Sequence, residues 1–251
     1  MRRVVDVVVC VTIGIVVAPV VGLVALAILL TMGGPVLFRQ ERAGRGGEVF
    51  TLVKFRSMRP ADYHGQQDVE RIPALGRFLR GSGLDELPQL WNIVRGDMSI
   101  IGPRPALPNQ AAHFSPRQRG RLVVRPGLTG WAQVNGRNAI SWTERIELDL
   151  WYLQNRSFAL DMRIVALTAL RVIRPSGARG AGGVNEGFRT ESGQLIDIWT
   201  ADAPPAPRPL DVPTEPLVVV PRVTLPRPNG ASYAAATGPM PIVDQPEEPR
   251  W

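Results

Sequence analysis

The sequence predicts an α+β protein in which an apolar N-terminal segment precedes a mainly helical domain with short β-hairpins. Residues 7–30 carry no charge and are almost wholly apolar, and about 20 such residues suffice to cross a bilayer core. Residues 39–174 combine helix-capping signals with glycine-containing turn signals, a mixture typical of helices and hairpins in one domain. The predicted divisions are a membrane segment at 1–34, a globular domain at 35–190 and a proline-rich, disordered tail at 191–251.

The apolar segment has two features that a simple membrane span does not explain. Pro19 stands in its middle, where the missing backbone donor predicts a kink. Arg2 and Arg3 precede the segment, and Arg39 and Arg42 follow it, so the positive-inside tendency favours both ends on the cytoplasmic side. A re-entrant helical hairpin broken at Pro19 explains both features, and a kinked spanning helix with basic flanks remains the alternative. The segment is too long for a signal peptide and lacks a cleavage site.

The charge of the chain predicts an anionic partner. The net charge is +7 and the pI about 10.8, values that suit phospholipid, nucleic acid or a phosphorylated substrate. Lys54 is the only lysine, so arginine supplies nearly all the positive charge, and guanidinium groups bind phosphate oxygens bidentately. Cys10 is the only cysteine, which excludes a disulfide within this sequence and favours a reducing compartment. No glycine-rich nucleotide loop of the P-loop or dinucleotide type occurs.

A β-hairpin is predicted after the apolar segment. Residues 36–40 and 48–58 are the predicted strands, and the glycine-rich residues 43–47 form the turn. Strand alternation places Lys54 and Arg56 on one face and Phe55 on the other. Two neighbouring cations suit a phosphate-bearing ligand, and a solvated strand face near acidic lipid fits the pattern equally well.

Two adjacent carboxylates, Asp85 and Glu86, lie at a predicted helix start. Ser82 is the expected N-cap, and Pro88 fits only the first turn. The positive end of the helix dipole is by itself a sufficient structural reason for acidic residues here. Four arginines surround the pair in the sequence: Arg77, Arg80, Arg95 and Arg104. With them, the carboxylates could bind a divalent cation and a diphosphate together, and one carboxylate could attack phosphorus.

Turn and capping signals organise the rest of the domain. The pair Asn135–Gly136 predicts a second β-hairpin. Ser141 and Glu144 form a capping-box pattern for a helix that runs to about residue 153. Asp161 is expected to open a last helix, which is apolar nearly all round and so is either buried or partly in lipid.

Four sequence motifs together resemble those of the bacterial sugar transferases, small monotopic phosphoglycosyl transferases that act on a polyprenyl phosphate carrier. The motifs are KFRSM at 54–58, LDELPQLWNIVRGDMSIIGPRP at 84–105, RPGLTGWAQVNGRN at 125–138 and ELDLWYLQNRSFALDMRIV at 147–165. They occur in the family's order, and the resemblance extends from about residue 2 to residue 189.

The resemblance implies a re-entrant membrane helix broken at Pro19 and a catalytic domain on the cytoplasmic face of the bacterial inner membrane. It also implies that Asp85 and Glu86 are catalytic and hold Mg²⁺, with Asp85 attacking a UDP-sugar to release UMP. Polyprenyl phosphate would then take the phosphosugar from the enzyme, beginning exopolysaccharide, O-antigen or glycoprotein assembly. The residues expected to bind phosphate or substrate, or to support the site, are Lys54, Arg56, Arg80, Arg104, Arg137 and Asp161. Where the family often has serine before the proline, this chain has Ala18.

The expected partners are the UDP-sugar, polyprenyl phosphate, membrane lipid and downstream glycosyltransferases, with a homo-oligomer possible and nucleic acid excluded. Two alternatives stay open: a membrane glycosyltransferase that releases UDP, and a non-catalytic membrane adaptor that recruits partners through its proline-rich tail.

Overall fold

The computed structural model describes residues 2–60, 68–136, 140–173, 188–189 and 195–196. Its first element is one long helix, α1 (Arg2–Met32), which contains Pro19. Among the described residues, α1 is the one helix long and apolar enough to cross a membrane. Most of its apolar side chains are exposed, and only Cys10, Val24 and Ile28 are buried. The structure therefore has the long apolar helix, and it does not show the helical hairpin.

The first predicted β-hairpin is confirmed. Strand β1 (Leu37–Ala43) pairs antiparallel with β2 (Val49–Phe55), and the 3₁₀ turn Arg45–Gly47 joins them. The turn needs glycine, because Gly46 and Gly47 have positive φ angles of 69° and 83°. Phe50 and Leu52 are buried on one face of β2, and Phe55 is buried on the other. Lys54 shares the face of Phe50 and Leu52, so the strand carries its ammonium group toward the interior.

Short helices and one parallel strand pair build the remainder of the domain. The helices are α2 (Asp68–Arg71), α3 (Ala74–Ser82), α4 (Gln89–Arg95), α5 (Pro108–Ala112), α6 (Pro116–Arg119), α7 (Trp131–Asn135), α8 (Trp142–Gln154) and α9 (Phe158–Ile173). Strands β3 (Ser99–Ile101) and β4 (Gly127–Thr129) are parallel, whereas β5 (Phe188–Arg189) and β6 (Leu195–Ile196) are antiparallel. Strand β6 lies beyond the predicted start of the tail at residue 191, and most of residues 191–251 lie outside the described residues.

The predicted hairpin at Asn135–Gly136 is wrong, because residues 131–135 form helix α7. Trp131, Ala132 and Val134 are all buried, which the two-residue alternation of a strand cannot achieve but a turn of helix can. The capping box of Ser141 and Glu144 is confirmed at the start of α8. The last helix, α9, begins at Phe158, three residues before the predicted Asp161.

Two close backbone contacts hold the domain together near residues 57 and 102. A Cβ at Gly76 in α3 would lie 2.0 Å from the carbonyl oxygen of Ser57. A Cβ at Gly127 in β4 would lie 2.1 Å from the amide nitrogen of Gly102. Only glycine permits either approach. The first contact seats α3 on the end of β2, and the second seats β4 against the segment that follows β3.

Candidate active site

The two carboxylates lie in a 3₁₀ turn, Leu84–Glu86, between α3 and α4. Gly83 separates this turn from α3 with a φ of 75°, a conformation that favours glycine. The predicted N-cap role of Ser82 is wrong, because Ser82 ends α3 and its Oγ donates to the carbonyls of Phe78 and Leu79. Leu84 and Leu87 pack against the apolar cluster of α1, β2 and α3. These contacts leave Asp85 only 7% exposed.

The environment of Asp85 makes its carboxylate unusually basic. Burial and, to a smaller extent, the adjacent Glu86 raise its pKa from 3.8 to about 6. Lys54, Arg104 and Arg80 oppose this rise through their positive charges. Asp85 is consequently a poorly solvated carboxylate that is still mostly ionised at neutral pH, surrounded by cations on three different elements.

Lys54 on β2 is the first of these cations. Burial lowers its pKa to about 8, and the charge of Asp85 counteracts that effect. Its ammonium nitrogen lies 5.0 Å from the centroid of the Phe38 ring on the neighbouring strand. The strand face that buries Phe50 and Leu52 also brings Lys54 to Asp85.

Arg104 is the cation that binds the dyad directly. Its Nη2 donates to Glu86 Oε1 at 2.8 Å, and the charge of Glu86 raises the pKa of Arg104. Arg104 lies in the loop 102–105, which follows β3 and contains two prolines. The guanidinium is nearly half exposed, so it can bind Glu86 and a ligand from solvent together.

Arg80 on α3 is the third cation. Its Nε donates to Ser57 Oγ at 2.9 Å, and this contact depends on the close seating of α3 at Gly76. Ser57 itself is buried at the end of the segment that follows β2. The charge of Arg80 on α3 helps to lower the pKa of Asp85, as does that of Lys54 on β2, and the Arg80 side chain is exposed to solvent.

The structure adds two arginines that were not among the predicted site residues, Arg42 and Arg121. Arg42 on β1 donates to the Pro105 carbonyl at 3.2 Å and to Gln40 Oε1 at 2.7 Å. Burial lowers its pKa to about 10, and Arg104 contributes to the shift. Arg121 donates to the Arg104 carbonyl at 2.9 Å. No sequence motif reveals these contacts, because both arginines bind backbone atoms of a distant loop.

Three predicted site residues are not part of this cluster. The guanidinium of Arg56 is buried against the carbonyls of Met32, Gly33 and Gly34 at the end of α1, because β2 ends before it and the chain turns there. Asp161 accepts a hydrogen bond from the Tyr152 hydroxyl at 2.7 Å and pairs with Arg2 at 3.2 Å, so its contacts are with the start of α1. Arg137 lies outside the described residues.

The donor set fits a magnesium ion that also binds substrate. Within the described part of the chain, no group of three or more His, Cys, Asp or Glu side chains could form an all-protein metal site. Asp85 and Glu86 supply two adjacent carboxylates, and the charge of Glu86 adds to the effect of burial in raising the pKa of Asp85. Mg²⁺ binds through one or two carboxylates together with substrate phosphates, and a dyad of this kind suits it.

Sequence comparison relates this chain to known proteins. The model of the family "Bacterial sugar transferase" matches residues 1–175. The chain is 44% identical over 169 residues to the uncharacterized sugar transferase EpsL of Bacillus subtilis, covering 66% of this chain and 84% of that protein. It is 44% identical over 169 residues to the UDP-glucose:undecaprenyl-phosphate glucose-1-phosphate transferase of Xanthomonas campestris, covering 62% of this chain and 35% of that protein.

A third relative, from Caulobacter vibrioides, bears the same name as the Xanthomonas protein. It is 41% identical over 180 residues, which cover 66% of this chain and 67% of that protein. The chain thus spans most of two of these relatives and about a third of the other.

Proposed function

The chain belongs to the bacterial sugar transferase family, and on that premise we propose that it moves a sugar-1-phosphate from a UDP-sugar to polyprenyl phosphate. It is an enzyme of the sugar-phosphate transferase type, since its relatives are named for such transfers to undecaprenyl phosphate. The products would be UMP and a polyprenyl-diphosphate sugar. The relatives' names specify glucose or galactose, so a UDP-hexose is the proposed donor class.

The state of Asp85 carries this proposal. A carboxylate that is 7% exposed, ionised at neutral pH and surrounded by Lys54, Arg80 and Arg104 is well suited to attack phosphorus. Glu86 is held by Arg104, so the two members of the dyad have different partners. The three cations are opposite in charge to a diphosphate, whose negative charge must be neutralised before an anionic nucleophile can approach it.

In the proposed first step, an Asp85 carboxylate oxygen forms a bond to the β-phosphorus of the UDP-sugar. The bond from that phosphorus to the bridging oxygen breaks, and the electron pair leaves with UMP. The sugar phosphate is then joined to Asp85 as an acyl phosphate, a mixed anhydride. Arg104 and Lys54 would stabilise the negative charge that develops on the phosphoryl oxygens and on the departing UMP.

In the second step, a phosphate oxygen of the polyprenyl carrier attacks the same phosphorus. The bond to Asp85 breaks, and the carboxylate is regenerated. Mg²⁺, held by Asp85 and Glu86 with the substrate phosphates, would supply further charge neutralisation when bound. A buried carboxylate favours this route because few water molecules reach the acyl phosphate and hydrolyse it.

The contacts of α1 support a membrane helix that returns to the side from which it enters. At the start of α1, Arg3 donates to the carbonyls of Ile93 and Val94 at the end of α4, and Asp6 accepts from Ser99 Oγ at 2.7 Å. At the other end, Arg56 binds the carbonyl of Met32. A helix that crossed the bilayer would separate its two ends, whereas here both ends bind one globular domain.

Helix α9 offers a second apolar surface for the same membrane. Phe158, Met162 and Val165 recur at a spacing of four and three residues and are exposed, and Leu170 is also exposed. The ion pair between Arg2 and Asp161 ties this helix to the start of α1. We propose that the protein lies at the cytoplasmic face of the bacterial inner membrane, where the lipid carrier's phosphate would meet Asp85 at the membrane surface, and the two apolar surfaces support a membrane location.

The test of the proposal is nucleotide release. Purified protein in detergent is supplied with Mg²⁺, polyprenyl phosphate and each of several UDP-sugars, beside an Asp85→Asn variant. Release of UMP by the wild type alone supports the proposal and identifies the sugar. Release of UDP would indicate plain glycosyl transfer, and equal UMP from the variant would exclude Asp85 as the nucleophile.

A further inference from the structure

The loop 102–105 has to place Arg104 accurately, because the Arg104 side chain makes the contact with Glu86. Two guanidinium groups from outside the loop bind its backbone. Arg121 donates to the Arg104 carbonyl at 2.9 Å, and Arg42 donates to the next carbonyl, that of Pro105, at 3.2 Å. The loop is thus held on consecutive carbonyls from two sides.

Arg121 is itself fixed by a buried carboxylate. It lies in the 3₁₀ turn Gly120–Val123, and its Nη2 contacts Asp149 Oδ2 on α8 at 2.5 Å. The two side chains are only 1% and 2% exposed. The same Nη2 that binds Asp149 also binds the Arg104 carbonyl. The carboxylate therefore fixes the direction in which this nitrogen donates.

The stability of the fold does not account for this ion pair. Desolvation offsets much of the attraction within a buried pair, and apolar residues of similar volume often serve stability as well. Burial of Arg121 also lowers the free energy of unfolding, because its buried Nε and Nη1 have no hydrogen-bond partner. Its guanidinium carbon lies 5.5 Å from the Phe114 ring centroid, a contact that does not replace those bonds. The directed bond to the loop is the feature that an apolar pair could not provide.

We propose that Arg121, oriented by Asp149, is a positioning residue that holds the backbone of the loop 102–105 so that Arg104 meets Glu86 and the substrate diphosphate. The proposal rests on the proposed function, since it assigns Arg121 to the same site. Arg121 acts only through Arg104. Displacing a catalytic cation by about 1 Å can cost roughly 100-fold in rate, so the loss of this bond should lower turnover on that order.

The test uses Arg121→Lys, which keeps the buried charge beside Asp149. The lysine side chain is shorter, so its ammonium group beside Asp149 does not extend to the Arg104 carbonyl that Nη2 also contacts. Asp149→Asn is less suitable, because it leaves Arg121 buried and unpaired and endangers folding. Glu147→Gln is the matched control: Glu147 also lies on α8 and pairs with an arginine, Arg117, but both side chains are nearly half exposed.

A double-mutant cycle separates positioning from general structural damage. Turnover at saturating UDP-sugar is measured as UMP release for Arg121→Lys, for Arg104→Ala and for the two together. We expect Arg121→Lys to lower turnover about 100-fold in the wild type and to add no further loss when Arg104 is already alanine. Glu147→Gln should match the wild type. Losses that multiply in the double variant would overturn the proposal.

A measurement without substrate keeps the proposal testable if the proposed function fails. In protein labelled with ¹⁵N-arginine, the guanidinium signal of Arg104 is identified as the one missing from Arg104→Ala. We expect Arg121→Lys to shift this signal toward that of free arginine and Glu147→Gln to leave it in place. An unchanged signal in Arg121→Lys would overturn the positioning role of Arg121. If the wild type releases no UMP, the proposed function is wrong, and this signal still tests the positioning role.

Discussion

Replacing Lys54 with glutamine should reshape the pH dependence of the enzyme in a way that the site geometry specifies. Asp85 must be ionised to attack, and burial together with Glu86 raises its pKa to about 6. Lys54 must be charged to neutralise phosphate, and burial lowers its pKa to about 8. The wild-type rate should therefore rise through pH 6 and fall through pH 8, with its maximum between these values.

The variant removes one limb of this profile and displaces the other. Lys54 is the group with a pKa of about 8 that gives the alkaline limb, so in its absence the fall in rate at alkaline pH should disappear. Lys54 also holds the Asp85 pKa down, and its loss should raise that pKa on the order of one unit. At pH 6 the ionised fraction of Asp85 would then fall from about one half to roughly one tenth, a fivefold loss beyond the change in maximal rate.

The assay is kcat/KM for UMP release between pH 5 and pH 10 at constant ionic strength and Mg²⁺. Bound Mg²⁺ would move the acid limb of the profile to lower pH in both proteins, so the test is the difference between the two profiles. Arg39→Gln is the control: Arg39 is an exposed cation on β1, paired in register with Val53 beside Lys54. Its profile should match the wild type. A fall at pH 8 that persists in Lys54→Gln would refute the role given to Lys54.

Three other outcomes follow from the same contacts. Burial raises the pKa of Asp85 from 3.8 to about 6, so its ionisation opposes folding. Asp85→Asn should therefore raise the free energy of unfolding at pH 7 by up to roughly 3 kcal/mol, seen as a higher melting temperature, and this gain should vanish as the pH falls through 6 toward 4. Gly76→Ala should lower stability and turnover together, because its Cβ would collide with the Ser57 carbonyl, whereas Gly81→Ala in the same helix has open space and should stabilise the protein by about 1 kcal/mol. Deleting residues 203–251 should leave turnover within about twofold, and a collapse in the still-folded protein would contradict this.

Local patterns in the sequence predicted the elements that depend on local physics. The hairpin of β1 and β2 follows from strand alternation and a glycine-rich turn, and the start of α8 follows from the capping box of Ser141 and Glu144. The dyad and its neighbours Lys54, Arg80 and Arg104 were also among the predicted site residues, and the structure brings these five together.

Prediction from local signals failed at positions where tertiary contacts determine the structure. Asn135–Gly136 is a strong hairpin signal, but burial of Trp131 and Val134 against α8 and α9 favours a helix there. Arg56 carries the same charge as Lys54, yet the free carbonyls at the end of α1 bind it instead. Arg121 is one arginine among many in this sequence, and only the fold reveals that it binds the Arg104 carbonyl.

The most direct test of the central claim is to look for the phosphosugar on Asp85. Wild-type protein is mixed with its UDP-sugar and Mg²⁺ without polyprenyl phosphate, quenched in acid, digested with pepsin at low pH and analysed by mass spectrometry. We predict a peptide spanning residues 84–86 that is heavier by one sugar phosphate, with fragment ions that locate the addition on Asp85 and no such peptide from Asp85→Asn. Enzyme that turns over normally with carrier present but never carries the sugar phosphate, or carries it on Glu86, would contradict the account.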